Sequence, residues 1–235
     1  MAIETLTGNT YPGRGIIIGK SACSRYAVIA YFIMGRSENS RNRRFVKDGD
    51  GIRTEAVDPA KLSDPSLIIY WPVRVDGSRT IVTNGDQTDT VYEYVREGKS
   101  FTEALATREY EPDAPNYTPR ISGMVTLDGA GGFSYELDVM RNATGQPGGV
   151  CVHDYTKIDV PERGKGHLIH TYLGDGNPIP SFNIPPVEVE IKGGTEDLAK
   201  KIWAELDEDN KVSLYVRRTN IKTGEYQEKI INKYK

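Results

Sequence analysis

Tyr26-Ala27-Val28-Ile29-Ala30-Tyr31-Phe32-Ile33-Met34, preceded by Arg25 and closed by Gly35, is the longest apolar run in the chain. It has about half the ~20 residues that a membrane-spanning helix needs, and it is rich in β-branched and aromatic types. It therefore predicts a buried strand. Immediately after it stands Gly35-Arg36-Ser37-Glu38-Asn39-Ser40-Arg41-Asn42-Arg43-Arg44, which reads as a polar, arginine-rich loop at a strand end. Several guanidiniums beside Ser and Asn groups can clamp one phosphate bidentately. The same composition also describes a solvated charge run.

Further short apolar runs bounded by Asp, Gly, Pro and Ser repeat the strand signal at residues 15–19, 25–35, 67–75 and 80–83. A helix is predicted over 86–97, where Val91 and Val95 share a face before Gly98 ends it. Ser100 followed by Glu103 forms a capping box for the next helix, with Phe101, Ala104 and Leu105 as its apolar face up to about residue 107. Strands return at 121–127 and 133–140 across Asp128-Gly129-Ala130-Gly131-Gly132, then at 150–155 and 168–173. The Pro- and Gly-rich segment 174–186 predicts an irregular loop. Thr195 is placed to cap a last helix carrying Leu198, Ile202 and Leu206, ahead of strands at 212–218 and 226–231. Strands dominate and helices come in two places, which predicts α+β layers in one domain over residues 1–235 rather than a doubly wound parallel sheet.

The 30 Lys and Arg residues nearly cancel the 33 Asp and Glu, leaving no global positive field for a nucleic-acid backbone or an anionic membrane surface. Any phosphate recognition must be local. Two distant cysteines, Cys23 and Cys151, and no apolar signal segment after Met1 suggest a reduced, cytoplasmic protein. Gly13 to Ser21 ends in Gly19-Lys20-Ser21, but a phosphate-binding P-loop needs glycine where Arg14 stands. Cys151, His153, His167 and His170 form the one conceivable metal set. His167 and His170 lie three apart among strand-forming residues, so their side chains point to opposite faces, and no metal site is expected.

Two other polar segments carry candidate chemistry. Thr83-Asn84-Gly85-Asp86-Gln87-Thr88-Asp89-Thr90 joins a strand to a helix. Its N–H groups suit an anion, and Asp86 or Thr88 suits the N-cap equally well. Arg108-Glu109-Tyr110-Glu111-Pro112-Asp113 runs through a proline-bounded loop to Asn116-Tyr117-Thr118-Pro119-Arg120, a type of segment that also builds active sites.

Tyr11-Pro12-Gly13-Arg14-Gly15, Gly35-Arg36-Ser37 with Ser40-Arg41, Ile69-Tyr70, Thr83-Asn84-Gly85 with Thr88-Asp89-Thr90, Tyr110-Glu111 with Asp113, and Thr118-Pro119-Arg120-Ile121 occur in this order. Over about residues 11–130 the chain thereby resembles the archaeal-type IMP cyclohydrolase family, and the likeness weakens after about Met140. The resemblance implies a four-layer αββα sandwich similar to the N-terminal-nucleophile hydrolases but without their nucleophile. It also implies a homo-oligomer, tetrameric in the best-known cases. The implied reaction is closure of 5-formamidoimidazole-4-carboxamide ribonucleotide (FAICAR) to IMP and water, with no metal or cofactor.

On this resemblance Tyr70 is expected to donate to the formyl oxygen and Glu111 to act as base or proton relay. Arg36 and Arg41 are expected on the phosphate and reacting oxygen, with Asn84, Gly85 and Arg120 lining the base or ribose. Burial of Glu111 would raise its pKa and a nearby arginine would lower it. The unfamiliar C-terminal third keeps two alternatives: an amidohydrolase or cyclohydrolase on a related ribonucleotide, or a non-catalytic nucleotide-binding protein.

Overall fold

The computed structural model describes residues 6–61 and 69–234. The chain begins with β1 (Arg14–Lys20), β2 (Tyr26–Met34), α1 (Glu38–Arg41), β3 (Arg44–Asp48), β4 (Gly51–Glu55), β5 (Val73–Asp76) and β6 (Arg79–Thr83). It continues with α2 (Gln87–Arg96), α3 (Phe101–Leu105), β7 (Arg120–Leu127), β8 (Phe133–Asn142), β9 (Cys151–Ile158) and β10 (Lys165–His170). β11 (Val187–Glu190), α4 (Thr195–Glu205), β12 (Lys211–Asn220) and β13 (Tyr226–Asn232) complete it.

The strands form two antiparallel sheets. The first has the order β11-β10-β1-β2-β12-β13, and the second runs β3 to β9 in sequence order. The central apolar run, β2, lies between β1 and β12, with Ala30 opposite both Ile17 and Val216. Both its faces are buried, which accounts for its lack of polar alternation. Ile16, Ile18, Ile29, Tyr31 and Ile33 meet Phe45, Ile52, Val82, Ile121 and Leu137 between the sheets. Ile17, Val28, Ala30 and Phe32 face the other way, onto Leu198, Ala199 and Ile202 of α4. Ile81, Met124 and Met140 on the outer face of the second sheet pack against Val91, Val95, Phe101 and Leu105 of α2 and α3. The layers thus run helix, sheet, sheet, helix. Each such side chain taken fully out of water contributes roughly 1.5–3 kcal/mol.

Several expectations need correction. The hairpin of β3 and β4 and the strand β11 escaped the sequence reading, because β3 and β4 carry charged residues around Asp48-Gly49-Asp50-Gly51 and bury only Phe45, Gly51, Ile52 and Thr54. The 67–75 segment becomes a strand only at Val73; residues 67 and 68 lie outside the described residues. The arginine-rich loop contains the one-turn helix α1, capped by Ser37 and Ser40 reciprocally. Gly194 rather than Thr195 occupies the N-cap of α4. Asp86 occupies the N-cap of α2 without a capping side-chain bond.

Candidate active site

A cleft of about 330 Å³ opens where the ends of β1 and β2, the 35–43 segment, the 109–120 loop and the 171–182 loop meet. Its lining includes Tyr11, Arg14, Arg36, Asn39, Arg43, Glu111, Asp113 and Tyr172. Gly13 permits the approach of two of these elements: its φ of +77° suits glycine, and a Cβ there would lie 2.1 Å from Thr171 Oγ1. Gly35 seats α1 in the same manner, since a Cβ would fall 2.7 Å from Ser40 Oγ.

At the bottom of the cleft two arginines lie close together, Arg43 buried and Arg14 with its side chain 11% exposed. Arg14 Nη2 lies 3.7 Å from Glu111 Oε2. Arg43 is 2 % exposed and donates one bond from Nη2 to Met34 O at 3.3 Å. Nε of Arg14, Nε of Arg43 and Oδ1 of Asn39 are buried without a hydrogen-bond partner. Burial, followed by the charge of Arg14, lowers the Arg43 pKa. For Arg14 burial pulls in the same direction, yet Glu111 and the phenols of Tyr172, Tyr70 and Tyr11 outweigh it and raise the pKa. The floor is electropositive, with unused donors. Buried guanidiniums in this condition favour an anion that supplies the missing acceptors.

Glu111 is 2 % exposed. Burial raises its pKa, outweighing Arg14, Arg120 and Arg43, which oppose the shift; Asp113 adds to it. Both influences foreseen from the sequence are present, and desolvation prevails. Tyr70 is buried beside this group. Its hydroxyl lies 2.7 Å from that of Tyr31, and burial raises its pKa against the charges of Arg43 and Arg14, so the phenol stays protonated.

Arg36 lies on the rim. It pairs with Asp175, donates to Gly176 O at 3.0 Å and covers the ring of Tyr11 at 5.0 Å. Tyr11 stacks on Tyr172, whose hydroxyl bonds Thr118 Oγ1. The irregular loop foreseen at 174–186 therefore forms one wall, contributing Ile179, whose N–H donates to Asn116 Oδ1 at 3.2 Å.

The remaining predicted site residues lie elsewhere. Arg41 turns away from the cleft, donating to Gly35 O at 2.8 Å and Asn210 Oδ1 at 3.0 Å. Asn84, Gly85 and Arg120 belong to a buried network outside the cleft lining. Asn84 donates to Pro119 O at 3.0 Å and accepts from Ile121 N at 2.8 Å. Thr83 and Thr88 donate to Gly85 O, so the β6–α2 turn uses its hydroxyls internally. Sequence reading singled out neither Arg14 nor Arg43 individually. Arg14 stands on a strand 97 positions from its partner, and only folding reveals the pair.

Among the described residues, no group of three or more His, Cys, Asp or Glu is arranged to hold a metal ion. His167 bonds Tyr135 Oη, His153 bonds Asp138, and His170 bonds the Tyr172 carbonyl. Among the same residues no helix is long and apolar enough to cross a membrane.

The family described as IMP cyclohydrolase-like protein matches residues 11–224. The chain belongs to the IMP cyclohydrolase-like family. The match extends well beyond the first 130 residues and includes the loop that walls the cleft. A relative named IMP cyclohydrolase from Methanothrix thermoacetophila is 32% identical over 121 residues, which cover 49% of this chain and 58% of the relative. Others of that name are 28% identical over 171 residues in Methanosphaera stadtmanae (69% of this chain, 73% of the relative) and 24% identical over 197 residues in Haloquadratum walsbyi (82% and 83%). The chain spans just under three fifths of the length of the first of these IMP cyclohydrolase-like relatives.

Proposed function

We propose that this chain is an IMP cyclohydrolase, a hydrolase of the class acting on cyclic amidines, which closes FAICAR to IMP with loss of water. The observation that carries the reading is the pairing, in one cleft, of a buried carboxyl of raised pKa with two guanidiniums whose buried Nε donors are free. The family match and the names of the relatives support it.

In this reading the phosphate rests among Arg36, Ser37, Asn39 and Ser40 at the cleft mouth, and the imidazole with its two side groups reaches the floor. Holding the carboxamide nitrogen against the formyl carbon contributes ~7–11 kcal/mol of the barrier through orientation alone. Glu111 takes a proton from the carboxamide nitrogen as the C–N bond forms. Tyr70, accepting from Tyr31, directs its own proton to the formyl oxygen, while Arg14 and Arg43 stabilise the charge that develops there. Glu111 hands that proton to the oxygen, the formamido N–H then supplies the second proton by way of Glu111 as the C=N bond forms and the C–O bond breaks, and water leaves with both. Atoms balance as FAICAR giving IMP plus water. No step here requires a redox cofactor.

The layer order further supports likeness to the N-terminal-nucleophile hydrolase architecture, with Arg14, on β1, serving electrostatics rather than covalent attack. We also take residues 1–235 as one cytoplasmic domain that works as a homo-oligomer. The test is an ultraviolet assay of purified protein with FAICAR. Wild-type protein should form IMP, and Tyr70→Phe should lower turnover by roughly 10²–10³-fold, the scale of one lost oxyanion donor. Absence of turnover together with tight IMP binding would overturn the catalytic reading and leave a nucleotide-binding protein.

A further inference from the structure

The segment Thr83-Asn84-Gly85-Asp86-Gln87-Thr88 and Arg120 resemble ligand-binding elements in sequence, yet the fold keeps them out of the cleft lining. Arg120 is 7 % exposed and bonds to its own neighbourhood. Nη1 donates to Asp86 Oδ1 at 2.8 Å and Gln87 Oε1 at 2.7 Å, and Nε donates to Glu109 O at 2.9 Å. Gln87 is itself held by its Nε2 bond to Asn84 Oδ1 at 2.9 Å. A Cβ on Gly85 would lie 2.6 Å from Arg120 Nη1 and 2.7 Å from Gln87 Oε1, so only glycine lets the guanidinium seat in the turn.

Glu109 is two residues before Glu111. The backbone between them is fixed at one end by Arg120 on Glu109 O and at the other by Glu111 N donating to Thr118 O at 2.9 Å. We propose that Arg120, seated by Gly85, Asp86 and Gln87, is a positioning residue that fixes the Glu111 carboxyl in the cleft without touching the substrate. The proposal rests on the cyclohydrolase reading for its catalytic consequence, but the placement of Glu111 is measurable without turnover. Arg120 also bears on Glu111 through charge, alongside Arg14 and Arg43, with Asp113 acting oppositely and the Tyr70 phenol close by.

The experiment compares Arg120→Met, Arg120→Lys and Gly85→Ala with wild type. Steady-state kinetics on FAICAR and IMP affinity are measured, and the Glu111 carboxyl of ligand-free protein is titrated by ¹³C NMR. Arg120→Met should lower kcat ~10–100-fold with KM and IMP affinity within about threefold, the cost expected of a misplaced catalytic group. Its Glu111 titration should move upward through loss of a cation. Arg120→Lys keeps the charge but cannot reproduce the planar fork, so kcat should fall while the titration stays near wild type. Gly85→Ala displaces only the flexible ends of Arg120 and Gln87. It should fold and lose kcat in the same way.

Parallel losses of IMP affinity and rate in all three variants would overturn the proposal and make Arg120 a ligand contact. An unchanged kcat and an unchanged Glu111 titration in Arg120→Met would overturn it too. If wild type fails to turn over FAICAR, the cyclohydrolase reading falls. The Glu111 titration and its response to Arg120→Met still decide whether Arg120 governs that carboxyl.

Discussion

The cleft floor and the β6–α2 turn are both buried, polar and arginine-bearing, yet their hydrogen bonding differs. In the turn, Asn84, Gln87 and Arg120 use their groups on one another and on neighbouring backbone. On the floor, Arg14 Nε and Arg43 Nε have no partner, and the Arg14–Glu111 pair is held at 3.7 Å. A satisfied buried network serves to fix geometry, whereas an unsatisfied one lowers its free energy when a ligand supplies the missing partners. Binding and chemistry are therefore assigned to the floor, and support to the turn.

The largest expected effect comes from the floor. Arg14→Met should reduce FAICAR turnover roughly 10²–10³-fold, as an oxyanion donor is lost and Glu111 stands without its nearest counter-charge. Kinetics and a Glu111 titration that moves further upward are the checks. An intact rate would remove the contrast between the two regions.

The turn should answer in stability instead. Asn84→Ala leaves the Ile121 N–H and the Pro119 carbonyl without their side-chain partner, at a cost of roughly 2–5 kcal/mol, measured by denaturant unfolding. IMP affinity per folded molecule should stay near wild type. A selective loss of affinity would instead place Asn84 against the ligand. Smallest is Arg41→Ala, which removes bonds to Gly35 O and Asn210 that anchor the arginine-rich segment from outside. It should cost about 0.5–1.5 kcal/mol and raise KM only a few-fold.

These two regions also differ in how far they could be read from sequence. The strand at residues 26–34 and the capping box at Ser100 are local signals, and each lies close to its predicted place. The β3–β4 hairpin was hidden because its charged residues face water and its few buried ones contact residues far along the chain. Glu111, Tyr70 and Arg36 came from ordered motifs, and Glu111 and Arg36 share the cleft with Tyr70 buried beside its floor. Arg14 and Arg43 were not separable from other arginines, since nothing local distinguishes a buried guanidinium from a solvated one. The same limit placed Asn84, Gly85 and Arg120 at the ligand. Their residue types suit either role, and only the partners decide.

Burial has a further consequence for Glu111. Because its folded pKa is raised, the protonated form favours folding. That contribution is present below the unfolded value, about 4.3, and is lost as pH rises through the folded pKa. Catalysis runs the opposite way, since a general base must be ionised. The most direct measurement is the pH profile of kcat/KM for FAICAR in wild type and Glu111→Gln, with IMP affinity measured alongside. The wild-type profile should fall on the acid side with a midpoint above the ordinary glutamate range, and Glu111→Gln should lose roughly 10²–10⁴-fold in rate while keeping IMP affinity within about threefold. A wild-type rate that stays flat down to about pH 4, or a Glu111→Gln protein that turns over normally, would contradict the assignment of Glu111 as the base.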